Sequence, residues 1–138
     1  MCILIIKSRS AAQATFANIC SFVAFDLLDV TPALRISGVY RPPYYDTNAE
    51  IHADMLTRRI TAYTRKNQNH IIFGDLNLPR IRWNSHCCPV DRVHKLKLIY
   101  DFVLTHGYSQ LVDFPTHGNN ILDVIFTDDD CIVTTVKS

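Results

Sequence analysis

The chain has 138 residues, of which 48% are hydrophobic and 20% are charged, and its formal net charge is +1 at pH 7. These values exclude an intrinsically disordered protein, and the near-zero charge excludes binding to nucleic acid or membranes through a global positive field. The length supports one domain with its own hydrophobic core, so residues 1–138 are interpreted as a single domain.

The beginning of the chain predicts strands. Within residues 2–7, positions 2–6 form an apolar run that is too short to span a membrane, and Lys7 and Arg9 follow this run, so it does not resemble a signal peptide. We predict a buried strand there, which suggests that residue 1 falls inside a longer fold. Residues 8–18 are predicted as a polar connection and residues 19–28 as a second strand.

A third strand and a helix follow. Leu34–Tyr40 alternates apolar and polar residues, and Pro42 and Pro43 end the strand because proline cannot donate to a ladder. Thr47 and Glu50 have the spacing of a capping box, which predicts the start of a helix. The apolar face of this helix is predicted to contain Ile51, Met55, Ile60 and Tyr63.

The next strand delivers polar residues to the edge of a sheet. His70 to Phe73 is a short apolar run that predicts a buried strand ending at Gly74. Asp75 and Asn77 follow, and Pro79 prevents the ladder from continuing. In α/β proteins this edge is where ligands usually bind.

The second half of the chain alternates helix and strand signals. Residues 80–91 are irregular, and residues 92–106 predict a helix whose apolar face includes Leu96, Ile99, Phe102 and Val103. Gly107 suits a left-handed C-cap. Further strands are predicted at residues 108–113, 121–127 and 132–136, separated by a polar loop at 114–120 and a solvated turn at 128–130. The fold class is therefore α/β or α+β with mixed sheets.

Cysteine spacing gives no sign of a disulfide framework or a zinc site. The five cysteines include no Cys-x-x-Cys pair and are odd in number. This usage favours a reducing, intracellular setting.

Polar residues within apolar strands are the candidates for a functional site. Asp123 interrupts a strongly apolar run, Asp75 and Asn77 follow a strand, and Tyr40 ends one. Each alone is better explained structurally, since a buried carboxylate can cap a loop and a tyrosine can pack in a core. The strand ends could converge, and this favours a site.

Three sequence blocks resemble one family. They are Gly74-Asp75-Leu76-Asn77 after a strand, residues 38–43 (Gly-Val-Tyr-Arg-Pro-Pro), and Pro115-Thr116 with residues 120–127. Together they resemble the endonuclease/exonuclease/phosphatase superfamily, and within it the endonuclease domain of non-LTR retrotransposons. The resemblance implies a four-layer sandwich, here partial, with two mixed β-sheets packed face to face and flanking helices.

The resemblance also implies catalytic roles. Asp75 would orient or deprotonate the attacking water and contribute to a Mg²⁺ or Mn²⁺ site, and Asn77 would hydrogen-bond the scissile phosphate. Tyr40 would donate its phenol to a phosphate oxygen. Asp123 would match the carboxylate that orients a catalytic histidine.

Binding residues and partners are implied in the same way. Arg41, Thr116, His117 and Asn120 would contact nucleic acid. The substrate would be DNA and no membrane would be involved. The chain could be part of a larger polyprotein with a reverse transcriptase and would act in the nucleus.

Two elements of the family pattern have no counterpart in this sequence. A strand ending in a metal-binding glutamate would precede residue 1, and a Ser-Asp-His block would follow the last strand. The domain is therefore expected to be incomplete at both ends. The alternative hypothesis is an inactive remnant that binds nucleic acid weakly through Arg41, Arg80 and Arg82.

Overall fold

A computed structural model describes residues 12–15, 21–43, 49–64, 68–79, 81–83 and 94–129. The elements within these ranges are, in chain order, β1 Ala12–Thr15, β2 Ser21–Leu27, β3 Leu34–Tyr40, α1 Ala49–Tyr63, β4 Asn69–Asp75, α2 His94–Thr105, β5 Ser109–Gln110 and β6 Asp123–Thr127. Neither helix is long and apolar enough to cross a membrane within this part of the chain.

The described strands form one mixed sheet. Their order is β1-β2-β3-β4-β6-β5, with β3 and β4 parallel and the other neighbours antiparallel. Because β3 and β4 are parallel, the chain must cross over between them, and α1 forms this crossover. The predicted mixed α/β class is confirmed, whereas the second sheet is not seen among the described residues and stays a prediction.

The helices cover one face of this sheet. Side chains on that face and on the inner sides of the helices are almost fully buried; among them are Phe22, Ala24, Val39, Ile72, Val124 and Phe126 from the strands and Ala53, Leu56, Ile60, Ile99 and Val103 from the helices. The strands alternate buried and more exposed residues, as expected for a sheet with one face in a core.

The opposite face of the sheet is apolar but only partly covered. Val23 and Phe73 are 39% and 44% exposed, and Phe25, Ile36 and Ile71 are half-buried. The register places all five on the same face, away from the helices. A contiguous apolar face is costly in water, which supports the prediction that a second sheet packs there.

Several predicted elements need correction. The polar connection at residues 8–18 contains strand β1, which pairs with β2. The predicted strand at residues 108–113 is reduced to β5, and β4 continues through Gly74 to Asp75. The strands predicted at residues 2–7 and 132–136, the Thr47 cap and the side chain of Leu96 lie outside the described residues.

The predicted face of α1 was wrong at Ile51, which is 56% exposed. Residues 51 and 60 are separated by about two and a half helical turns, so they lie on opposite sides of the helix. The face that packs on the sheet instead includes Ala53, Leu56 and Ile60, which follow helical spacing and are at most 3% exposed.

Helix α2 ends as predicted at Gly107, whose φ of 70° is in the left-handed region. The Tyr108 amide donates to the Val103 carbonyl at 2.9 Å, and the Gly107 amide donates to Leu104 at 3.2 Å. These two hydrogen bonds define a Schellman motif, which satisfies carbonyls that the helix end leaves without partners.

The turn after β6 is exposed at Asp128, as predicted, but its carboxylates also accept hydrogen bonds that the sequence did not indicate. The Asp128 carboxylate accepts the His70 backbone amide at 2.7 Å, and the Asp129 carboxylate accepts the Asn69 side-chain amide at 2.9 Å. Burial raises the pKa of Asp128, while the hydrogen bond from the His70 amide opposes the increase. The turn after β6 therefore stabilises the start of β4 through two hydrogen bonds.

A buried chain of hydrogen bonds lies at the same end of the sheet. The His70 imidazole is bonded to the Ser37 hydroxyl at 2.7 Å and to the Tyr108 hydroxyl at 2.9 Å. Thr64 donates its hydroxyl proton to Ile60, so Tyr108 donates to Thr64 and accepts from His70 Nδ1. His70 Nε2 then accepts from Ser37, which requires a neutral imidazole.

Acidification is expected to destabilise the fold through His70. Burial, and next the positive charge of Arg35, lower its pKa from 6.5 to about 4. Between these values the unfolded chain binds a proton that the folded protein does not, so the free energy of unfolding falls as the pH decreases. We expect a loss of about 2 kcal/mol between pH 7 and pH 5 from this group.

Urea unfolding at the two pH values measures this loss, with His70→Gln as the comparison. The variant should lose less stability than the wild type over the same interval. Asp128 is present in both proteins, so its opposite contribution cancels in the comparison. An equal loss in both proteins would show that His70 is not the titrating group.

Candidate active site

Three polar side chains lie next to one another at one end of the sheet. Tyr40 of β3 is the register partner of Asp75 of β4, which is in turn the partner of Asp123 of β6. Residues directly opposite one another project from the same face of a sheet. Tyr40 is 45% exposed, Asp123 is exposed and Asp75 is partly buried. The structure therefore brings together three of the four predicted catalytic residues, and Asn77 follows in the adjoining loop.

Gly74 allows β3 and β4 to approach each other beside this site. Its φ of 149° is a conformation that side chains rarely adopt. A Cβ atom on Gly74 would lie 1.8 Å from the Val39 carbonyl oxygen. Only glycine fits, and its position directly before Asp75 keeps that residue aligned with Tyr40. A glycine inside a strand is the sequence signal for such an approach.

The loop after β4 is shaped by its own polar side chains. The Asp75 carboxylate accepts the Asn77 backbone amide at 2.9 Å, which closes an Asx turn. Asn77 has a φ of 48°, in the left-handed region where asparagine is the best tolerated residue after glycine. The Leu76 amide donates to the Leu122 carbonyl at 2.9 Å and so ties the loop to the chain before β6.

Arg41 is placed differently from the predicted nucleic-acid contact. It is only 1% exposed, and its guanidinium donates to the carbonyl oxygens of Leu76 and Asn77 at 3.2 Å each. Its side chain therefore supports the loop from below instead of projecting into solvent. Of the other two arginines in the alternative hypothesis, Arg82 is exposed and Arg80 lies outside the described residues.

The other predicted binding residues lie in the loop before β6. The Thr116 hydroxyl accepts the backbone amides of Leu122 and Asp123 at 3.0 Å each, so it holds the start of β6. His117 and Asn120 exchange backbone hydrogen bonds at 3.0 Å, and His117 is exposed. Thr116 thus has a structural contact that the sequence did not indicate, and His117 and Asn120 lie near the candidate site.

The two acidic residues at this edge offer carboxylate oxygens, the ligand type that hard divalent metal ions prefer. Asp75 and Asp123 are like charges directly opposite each other, an arrangement that destabilises a sheet and that a divalent cation would relieve. Mg²⁺ often binds through one or two carboxylates together with water and substrate phosphate. No group of three or more His, Cys, Asp or Glu residues that could hold a metal occurs within the described ranges.

Asp123 does not orient a histidine in the described part of the chain. His70 is buried at the opposite end of β4 from Asp75. His117 is exposed, and its hydrogen bonds are formed by its backbone amide and carbonyl groups. The described residues therefore place two carboxylates and a phenol at one edge of the sheet, without a hydrogen bond between the Asp123 carboxylate and an imidazole.

The fold is that of the endonuclease/exonuclease/phosphatase superfamily. A mannosyl-6-phosphatase from Bacteroides thetaiotaomicron superposes with a TM-score of 0.53 over 88% of this chain and 52% of its own, at 11% identity. An endonuclease/exonuclease/phosphatase family protein from the same organism superposes with a TM-score of 0.53 over 88% of this chain and 50% of its own, at 13% identity. The endonuclease domain of TRAS1, a telomere-specific non-LTR retrotransposon, superposes with a TM-score of 0.53 over 92% of this chain and 60% of its own, at 16% identity. At these identities the likeness establishes the fold.

A family model described as endonuclease-reverse transcriptase matches residues 34–138. The chain therefore belongs to the endonuclease-reverse transcriptase family, as the sequence blocks indicated. It spans between about half and three-fifths of the length of the similar solved structures. No curated protein sequence matches it.

Proposed function

We propose that this chain is the phosphodiesterase domain, or part of that domain, of a retrotransposon-type endonuclease that nicks DNA. The observation that supports it is the alignment of Tyr40, Asp75 and Asp123 on neighbouring strand ends, with Asn77 in the loop beside them. These residue types bind phosphate oxygens and activate water. The family match to residues 34–138 supports the reaction class.

Each residue has a distinct part in the proposed reaction. Asp75 orients a water molecule and takes its proton as the oxygen attacks phosphorus. The bond from phosphorus to the leaving sugar oxygen then breaks, and that oxygen takes up a proton from solvent. Tyr40 donates a hydrogen bond from its phenol to a phosphate oxygen. Asn77 has two side-chain N–H groups, and since one donates to the Arg41 carbonyl at 2.8 Å, the other is available to the phosphate.

Magnesium would be held by Asp75 and would neutralise the phosphate charge when bound. Asp123 would orient a histidine supplied from outside the described residues. Thr116, His117 and Asn120 would border the DNA, with Thr116 acting mainly by holding the start of β6. Action in the nucleus and linkage to a reverse transcriptase belong to the same proposal.

A plasmid-nicking assay with the 138-residue chain and Mg²⁺ tests this function. We expect supercoiled plasmid to be converted to nicked circles, and the conversion to stop when a chelator is added or when Asp75 is replaced by alanine. Equal nicking by wild type and Asp75→Ala, or no nicking by either, would contradict the proposal. DNA binding without nicking would support the inactive remnant.

A further inference from the structure

We propose that Arg41 is a positioning residue that holds the Asp75–Asn77 loop in its reactive conformation, rather than a contact for nucleic acid. The inference rests on the proposed function only for its catalytic consequence. Its structural part concerns one buried side chain and one loop and can be tested without any activity.

The position of Arg41 is unusual for an arginine. It directly follows β3 at the exposed end of the sheet, next to Tyr40, which is 45% exposed, yet Arg41 itself is 1% exposed. Arginine is rarely buried so completely unless its charge is compensated. Its guanidinium nitrogen Nη1 instead donates to carbonyl groups of the loop after β4.

Four hydrogen bonds connect Arg41 to the loop. Its backbone amide donates to the Asp75 carbonyl at 2.9 Å, and its guanidinium donates to the carbonyls of Leu76 and Asn77 at 3.2 Å each. In return, the Asn77 side-chain amide donates to the Arg41 carbonyl at 2.8 Å. Each of the three loop residues is thus bonded to the same residue of the neighbouring strand end.

These bonds stabilise a conformation that the loop would not hold alone. Asn77 has a φ of 48°, which residues other than glycine seldom adopt, and its amide donates to the Asp75 carboxylate at 2.9 Å. The two guanidinium bonds fix the orientations of the peptide groups before and after the Asn77 Cα atom, the first of which carries the amide that closes the turn. Arg41 thereby sets the positions of the Asp75 carboxylate and the Asn77 carboxamide together.

The chemistry of the side chain matters as well as its charge. A planar guanidinium presents its donors at fixed angles and can serve two carbonyls from one nitrogen, as it does here. An ammonium is a compact point charge on a flexible stem. Lysine should therefore preserve the charge but restore the loop only in part.

The first test measures hydrogen exchange of the Asn77 backbone amide in the wild type, Arg41→Lys and Arg41→Met. Loss of the guanidinium bonds in Arg41→Met should reduce protection of this amide by about tenfold or more, with Arg41→Lys in between. The amide of Ile99 in α2 reports on global stability and should change less. Unchanged protection at Asn77, or an equal loss at Ile99, would overturn the inference.

If Arg41→Met does not fold, Arg41→Lys decides the question by the same comparison. If neither variant folds, Arg41 is a general determinant of stability and the inference is wrong. None of these outcomes depends on nicking, so failure of the proposed function leaves this test intact.

The second test compares the nicking kinetics of Arg41→Lys with those of Arg82→Met, which removes an exposed arginine. A positioning role for Arg41 predicts a lower kcat with little change in KM, because the loop is misplaced while the DNA surface is kept. Arg82→Met should instead raise KM if that residue contacts DNA. A raised KM with unchanged kcat in Arg41→Lys would show a direct DNA contact and overturn the inference.

Discussion

Replacing Gly74 with alanine is expected to abolish the folded state. The new methyl group would lie 1.8 Å from the Val39 carbonyl oxygen and 2.8 Å from its carbonyl carbon, both of them backbone atoms that no rotamer change can move. Backbone strain at positive φ and overpacking each cost about 1–3 kcal/mol, and a main-chain clash is at the upper end. At their upper end the two costs sum to about 6 kcal/mol, which exceeds the stability of a small domain at the lower end of its range of about 5–15 kcal/mol.

Circular dichroism and urea unfolding measure this effect, and Gly118→Ala is the matched control. Gly118 also has a positive φ, 57°, but a Cβ there meets nothing within 4 Å. The control should therefore remain folded with a loss of about 1 kcal/mol. A cooperatively folded Gly74→Ala variant with similar stability would show that β3 and β4 do not approach as closely as described.

Asp75→Asn is expected to reduce nicking by about 10²–10⁴-fold while leaving the fold intact. The replacement keeps an oxygen that can accept the Asn77 amide at Oδ1, so the Asx turn should be retained. What is lost is the negative charge, and with it the proton acceptor and the metal ligand that the proposed function assigns to Asp75. Single-turnover rates on a plasmid substrate, with unfolding curves of the same preparations, separate the two effects.

Asp113→Asn is the matched control because it removes the same negative charge from an exposed residue. Asp113 lies before the loop that leads to β6 and is not on the strand ends that carry Tyr40, Asp75 and Asp123. Its nicking rate should stay within about twofold of the wild type, as expected for a surface change outside the site. Similar losses in the two variants would mean that the effect of Asp75 is one of general charge and not of local chemistry.

The apolar outer face of the sheet bears on how this domain is completed. Val23, Ile36, Ile71 and Phe73 lie on it, beneath the edge that carries Tyr40 and Asp75. In a sandwich of two sheets, the candidate active site would lie at the edge of the interface between this face and the second sheet. The second sheet would then exclude water from the apolar interface and limit access to Asp75 from one side.

Local sequence patterns predicted most of the described elements. The boundaries of β3 matched its alternating residues and the prolines after it, and the end of α2 matched Gly107. Strand β1 was missed because its sequence, Ala-Gln-Ala-Thr, has no strong strand preference, and it exists through pairing with β2. Ile51 was misplaced because helix α1 carries apolar residues on more than one side.

The sequence by itself determined the family, the candidate residues and their order, because glycine, carboxylate and proline positions are locally constrained by backbone geometry. Only the tertiary structure decided the register that aligns Tyr40, Asp75 and Asp123, since the pairing of distant strands depends on packing across the whole sheet. It also decided the role of Arg41. Whether an arginine at a strand end points to solvent or beneath a loop depends on which carbonyl groups the folded chain brings within its reach.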